Sequence, residues 1–266
     1  MIIKTAKRIH ISFVLIALLI MSVPLLSMAK TKPIKIPAKS ADYEQEKLTA
    51  KEWFDKGLSA SSYAGGGGNA INAYSQAIRL KPDYTEAYYN RGIAYSYLGQ
   101  YSRAIEDFNE AIRLKPDYTE AYNNRGAALG RLKQYQRAIE DYTEAIRLKP
   151  DYALAYNNRG AAYNELGKYG YAIEDINEAI SLNPNDASAY NNRGIAYNKL
   201  KLHEQAIMDY SLSISLKPND ASAYINRGFS YFLSGNTKKG CADAVKACKM
   251  GYCDLYEIAL EKGSCR

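Results

Sequence analysis

Five prolines, Pro82, Pro116, Pro150, Pro184 and Pro218, stand 34 residues apart, and the chain's other three prolines all precede residue 40. A fixed period of that length leaves few architectures open: each unit is one supersecondary element that must bury its apolar face on the next. Between prolines, as in EAYYNRGIAYSYLGQYSRAIEDFNEAIRLKP, aromatic, small and aliphatic residues recur at i, i+3, i+4 and i+7 over two stretches. This predicts two amphipathic helices per unit, separated by a tight turn at Leu98-Gly99-Gln100. The proline ends the second helix, because it lacks a backbone donor and clashes with the preceding turn.

Small residues should set the helix spacing. Gly92, Gly126, Gly160, Gly194 and Gly228 recur in the first helix, and Ala104, Ala138, Ala172, Ala206 and finally Gly240 in the second. Tyr88, Tyr122, Tyr156, Tyr190 and Tyr224, with Tyr95, Tyr163, Tyr197 and Tyr231, are then expected to fill the space between helices as core. Those rows account for much of the 25 tyrosines.

With these rows in hand, the chain resembles the tetratricopeptide repeat family, whose aromatic, Gly, Tyr, Ala, aromatic, Ala, Pro pattern recurs at about 34 residues. The resemblance implies an all-α, right-handed superhelical solenoid of about six helix-turn-helix units. The units fall at 50–84, 85–118, 119–152, 153–186, 187–220 and 221–254, with a C-terminal cap over 252–266. The first unit carries one extra residue, entered through Gly65 to Gly68, and the last lacks the proline, so that the chain runs on into a capping helix near Tyr252 to Lys262.

Residues 1–29 combine Lys4, Lys7 and Arg8 with an apolar stretch from Ile11 to Met21 and a small-residue site at Ser27-Met28-Ala29, the three parts of a secretory leader. An uncleaved membrane anchor is the alternative. Residues 30–49, rich in Lys and Pro, should form a linker. Of the formal charge of +7, the leader carries three cations and no acid and the linker five Lys against three acids, which leaves +2 for residues 50–266. No basic face marks a nucleic-acid ligand.

Arg91, Arg125, Arg159, Arg193 and Arg227 occur in the sequence Asn-Arg-Gly, and sixteen residues later stand Asp107, Asp141, Asp175, Asp209 and Asp243. The first unit has Lys56 and Ala73 instead, so the Arg and the Asp disappear together, which predicts an ion pair between the two helices of each unit. Capture of anions in the groove is the competing use of these arginines.

In the family the first helices line the concave surface. Asn90, Asn124, Asn158, Asn192 and Asn226 occupy one such row, a ladder of amides suited to the backbone of an extended peptide. Bridging within the scaffold would explain the same recurrence. Tyr89, Asn123, Asn157, Asn191 and Ile225 form a neighbouring row expected to set selectivity, and Ile93, Ala127, Ala161, Ile195 and Phe229 another. Ile225, Phe229, Phe232 and Leu233 make the last unit apolar, a patch expected to lie under the C-terminal helix or to dock a partner. The lysines with which chaperone-binding relatives clamp a terminal carboxylate are absent at Tyr89, Ile93 and Asn123.

All four cysteines lie in the last 26 residues. Three pairings are possible; a helical hairpin turning near Gly251 brings Cys248 to Cys253 and Cys241 to Cys265. Zinc is disfavoured, since no C-x2-C pair occurs. One histidine, His203, would remain after leader removal, and no nucleophile, base and orienting group converge. The expectation is a periplasmic or secreted binding protein, not an enzyme. It uses no cofactor and no metal, takes a protein or peptide partner, and meets a membrane only if the leader stays; self-association in an envelope assembly is the alternative role. Amino-terminal sequencing of exported protein should return a chain starting near Lys30, and recovery of Met1 would remove the leader reading.

Overall fold

The computed structural model describes residues 48–61 and 66–265. The leader, most of the linker and Gly65 of the expected loose turn lie outside the described residues. The described residues form thirteen helices and no strand: α1 (Ala50–Ser61), α2 (Gly67–Leu80), α3 (Thr85–Tyr97), α4 (Tyr101–Leu114), α5 (Thr119–Arg131), α6 (Tyr135–Leu148), α7 (Ala153–Glu165), α8 (Tyr169–Leu182), α9 (Ala187–Lys199), α10 (His203–Leu216), α11 (Ala221–Leu233), α12 (Thr237–Cys248) and α13 (Asp254–Glu261). Consecutive pairs make six units and α13 the cap.

Local chemistry sets the helix ends. Lys115, before Pro116, takes φ −135° and ψ 90°, the extended conformation a residue preceding proline favours, and Lys81, Lys149, Asn183 and Lys217 do the same. At the turn inside each unit the chain needs a left-handed residue. Gly99, Gly167 and Gly235 supply it without cost, whereas Lys133 (φ 59°) and Lys201 (φ 63°) adopt it despite their Cβ.

The first-helix glycines face second-helix rings. A Cβ on Gly126 would stand 2.7 Å from the Tyr142 ring, and one on Gly92 2.8 Å from Phe108. The fully enclosed aromatic row is therefore Tyr74, Phe108, Tyr142 and Tyr210, with Ile176 in the fourth unit. This corrects the expectation for the tyrosines. Tyr88, Tyr122, Tyr156, Tyr190 and Tyr224 are only half-buried, because each lays its ring against a guanidinium 5.3–5.7 Å away.

That guanidinium is the centre of each joint. Arg159 donates from Nε and Nη2 to both oxygens of Asp175, at 2.7 and 2.8 Å, and its Nη1 reaches back to Thr143 Oγ1 on the preceding unit at 3.0 Å. The other four arginines repeat the fork to Asp107, Asp141, Asp209 and Asp243, with Ser75, Asn109, Asn177 and Ser211 as the acceptors sixteen residues upstream. Hydrogen bonding to Asp175 raises the Arg159 pKa above its ordinary value although the group is largely buried. The sequence showed the pair; the third helix held by the same side chain is new. In the first unit Lys56 sits over the Trp53 ring instead.

First helices of successive units approach one another, α3 to α5, α5 to α7, α7 to α9 and α9 to α11, while no pair of second helices among the described residues approaches as closely. The first helices therefore line the inner side of the curve. At the C-terminal end α13 packs Leu255 against Gly228 and leaves Phe229 and Leu233 about half exposed, so the expected cover over that patch is absent. Disulfides join Cys241 to Cys265 and Cys248 to Cys253.

Two neighbouring glycines separate packing from propensity. Gly126→Ala should lower the stability by about 1–3 kcal/mol through overpacking on Tyr142. Gly130→Ala, where nothing lies within 4 Å of the new methyl in α5, should raise it by about 0.5–1 kcal/mol. Equal urea midpoints for the two variants would contradict this packing. Removing Arg159 or Asp175 alone should cost about 3 kcal/mol each by stranding a buried charge. The double variant should cost well under the sum, a coupling of at least about 1 kcal/mol; additive losses would show that the pair does not interact.

Candidate binding groove

The asparagine ladder turns out to be built into the joints between first helices. Asn158 donates from Nδ2 to Oδ1 of Asn123 at 3.0 Å, Asn192 to Asn157 at 3.0 Å and Asn226 to Asn191 at 3.0 Å, each acceptor belonging to the preceding unit. Asn124 makes the same bond to the phenol oxygen of Tyr89 at 2.9 Å. Burial pushes the Tyr89 phenol up to about 12, so it stays neutral and available as an acceptor. Asn90 has only Phe54 at the matching place of the first unit and turns back to the Glu86 carbonyl at 2.7 Å.

The neighbouring row is thereby reassigned. Asn123 and Asn157 are 2% and 4% exposed, with their oxygens engaged by the next unit, so they cannot read a ligand's side chains. Tyr89 and Asn191 do the same work, and Ile225, which has no following unit to serve, carries no acceptor. All four take part in the joints; for the buried Asn123 and Asn157 this corrects the expected role in selectivity, while Tyr89 and Asn191 keep partial exposure.

The ladder residues themselves keep partial exposure. A side-chain amide has two N–H donors and a carbonyl oxygen, and the joint uses one donor. Asn158, Asn192 and Asn226 thus retain a second donor and the amide oxygen beyond the joint.

Two cavities open on this surface. One, of about 310 Å³, lies between α3 and α5, floored by Ile93, Phe108 and Ala128, walled by Tyr97 and Tyr101, and rimmed by Asn124, Ala127 and Arg131. The other, of about 400 Å³, has Asn90, Ile93 and Tyr97 in its lining with Tyr74 and Leu98. Farther along, Ala161 repeats the small residue of Ala127, and one edge reads Tyr97, Arg131, Glu165, Lys199, Leu233, apolar at both ends and alternately charged between. Sequence reading missed this edge, although its residues are 34 apart and could have been aligned. The arginines of the clasp are 17–21% exposed by side chain, and each has its charge matched by its own Asp, which disfavours their use for anion capture.

A tetratricopeptide repeat model matches residues 85–118, 119–152, 153–186 and 187–220, and a second TPR repeat model matches 68–98. A search of the curated proteins found no significant match. Among solved structures the chain is similar to a MamA protein, at 28% identity and TM-score 0.57 over 65% of this chain and 93% of that one. It is similar in fold to PilW, described as a type IV pilus biogenesis factor (19% identity, TM-score 0.72, 79% and 98% covered). The same holds for YrrB, described as a TPR protein with an unusual peptide-binding site (21%, TM-score 0.56, 73% and 100% covered). The matched units alone span more than half of the 266 residues, and the chain belongs to the tetratricopeptide repeat family.

Proposed function

We propose that the array holds an extended segment of a partner protein along its inner surface. The ligand's backbone runs over Asn90, Asn124, Asn158, Asn192 and Asn226, and one of its apolar side chains enters the cavity between α3 and α5. The observation that carries this reading is the row of half-used amides at Asn158, Asn192 and Asn226, in line with two open cavities whose linings include Asn90 and Asn124. An amide that both donates and accepts matches a peptide group whatever its side chain, which lets the ladder hold a strand while the pocket and the charged edge select it. The hydrogen-bonded joints keep the groove preformed, so little ordering has to be offset on binding. A scaffold of this kind has no catalytic step to perform.

The compartment belongs to the same proposal. The leader pattern of residues 1–29 and the engagement of all four cysteines in disulfides both support export to the periplasm or beyond, where thiols oxidise. The partner is then an envelope or secreted protein.

Substituting the ladder asparagines would also weaken the joints, so a cleaner test fills the groove. Ala127→Trp with Ala161→Trp should weaken capture of partners from native envelope extract about tenfold or more, near 1.4 kcal/mol, with an unchanged melting curve. Glu140→Trp on the outer face should leave capture intact. Equal capture by all three proteins would move the binding surface out of the groove.

A further inference from the structure

The outward faces of three successive second helices repeat one pattern, which α10 then breaks. In α4, α6 and α8 two outward positions hold Glu106 and Glu110, Glu140 and Glu144, and Glu174 and Glu178. Two of these acids are tied into surface ion pairs, Glu110 with Arg113 and Glu144 with Arg147. In α10 the same positions hold Met208 and Leu212, 60% and 46% exposed, and Leu216 extends them by one turn. Spacings of four residues put the three side chains in a single stripe. The opposite face of α10 is already spent on the core through Ala206, Tyr210 and Ser213. A helix apolar on both sides is a helix buried on both sides.

The two rims of the stripe differ in sign. Toward the preceding unit α8 presents Glu174 and Glu178; toward the following one α12 presents Lys246 and Lys249, and all four residues are exposed. Whatever covers the stripe must therefore be apolar in the middle, basic along one edge and acidic along the other. An anionic lipid surface fails this requirement, because the glutamates would repel it. We infer that the occupant is a second copy of this chain, related by a two-fold axis running along α10. A half-turn about that axis exchanges the rims, so that Glu174 and Glu178 of each copy lie over Lys246 and Lys249 of the other, and the two stripes meet at the centre. A half-turn about the perpendicular axis in the same plane would set like charges against each other. The stripe alone is far smaller than the roughly 1,600 Å² of a standard stable interface, so the dimer forms in the micromolar range or weaker.

Sedimentation equilibrium of the protein purified without reductant, over roughly 1–100 μM, reads the association directly. The expected result is a reversible monomer–dimer equilibrium. Met208→Glu with Leu212→Glu should weaken it at least about tenfold, near 1.4 kcal/mol. The fold survives that change because α4, α6 and α8 carry glutamate at both positions. Lys246→Glu with Lys249→Glu should also weaken the dimer, and adding Glu174→Lys with Glu178→Lys to the same chain should restore it, since both rims are then inverted together. A monomer at every concentration overturns the inference, as does a dimer indifferent to the Met208 and Leu212 changes or unrescued by the double inversion. Flotation of the monomer with phosphatidylglycerol vesicles, lost on those two changes, would assign the stripe to a membrane and overturn it too.

Discussion

Each guanidinium of the Asn-Arg-Gly sequence holds three helices at once, and the spacing of the whole array follows from it. Its Nε and Nη2 fix the second helix of its own unit through a two-pronged bond to Asp, and its Nη1 fixes the second helix of the unit before. Taking such charges out of water is expensive, and it is tolerated here because the fork, the extra acceptor and the tyrosine face satisfy the cation from several sides. An aliphatic residue at this place would pack as well and could gain more free energy from burial. It would not specify the register of one unit on the next, since apolar contact has no direction.

A second joint complements the first. The arginine ties second helices together and the asparagine ties first helices, each across the same boundary between units. Two directional contacts on opposite sides of a boundary fix the angle between units as well as their distance, and the angle sets the curvature of the groove. The groove's shape is therefore written in hydrogen-bond geometry, repeated four or five times. A ligand meets a surface whose donors are already aimed.

The helices, the turns and the Arg–Asp pairs were readable in the sequence because the chain is its own alignment: a residue that recurs at 34 and vanishes with its partner in the first unit declares the contact. The upstream acceptor was missed because its row reads Ser75, Asn109, Thr143, Asn177, Ser211, which looks variable by identity and is uniform only as short side chains bearing an oxygen. The two asparagine rows were harder to separate, since a ladder for a ligand and a ladder for a joint recur alike. The ends distinguish them. A residue that serves the next unit is dispensable in the last, where Ile225 stands, and one that serves the previous unit loses its acceptor at the first, where Asn90 turns to its own helix. The exposed Phe229 was misplaced because α13 takes the position of a next first helix against Gly228, not a place over the groove.

End effects also explain why the cysteines crowd into one region. In a stack whose units touch only their neighbours, stability is close to a sum of unit and boundary contributions, and the terminal units, with one boundary each, open first. At the C-terminal end the missing boundary is replaced by a short helix of eight residues and two covalent links. Closing a loop the length of Cys241 to Cys265 removes unfolded-state entropy equivalent to about 3 kcal/mol. The first unit carries no cysteine: Gly66 to Gly68 lead into its second helix, and Lys56 over Trp53 stands where the clasp would be. The disulfide-linked cap thus holds only the C-terminal boundary, while at the other end α1 and α2 border the larger groove cavity through Ser61, Gly67 and Tyr74.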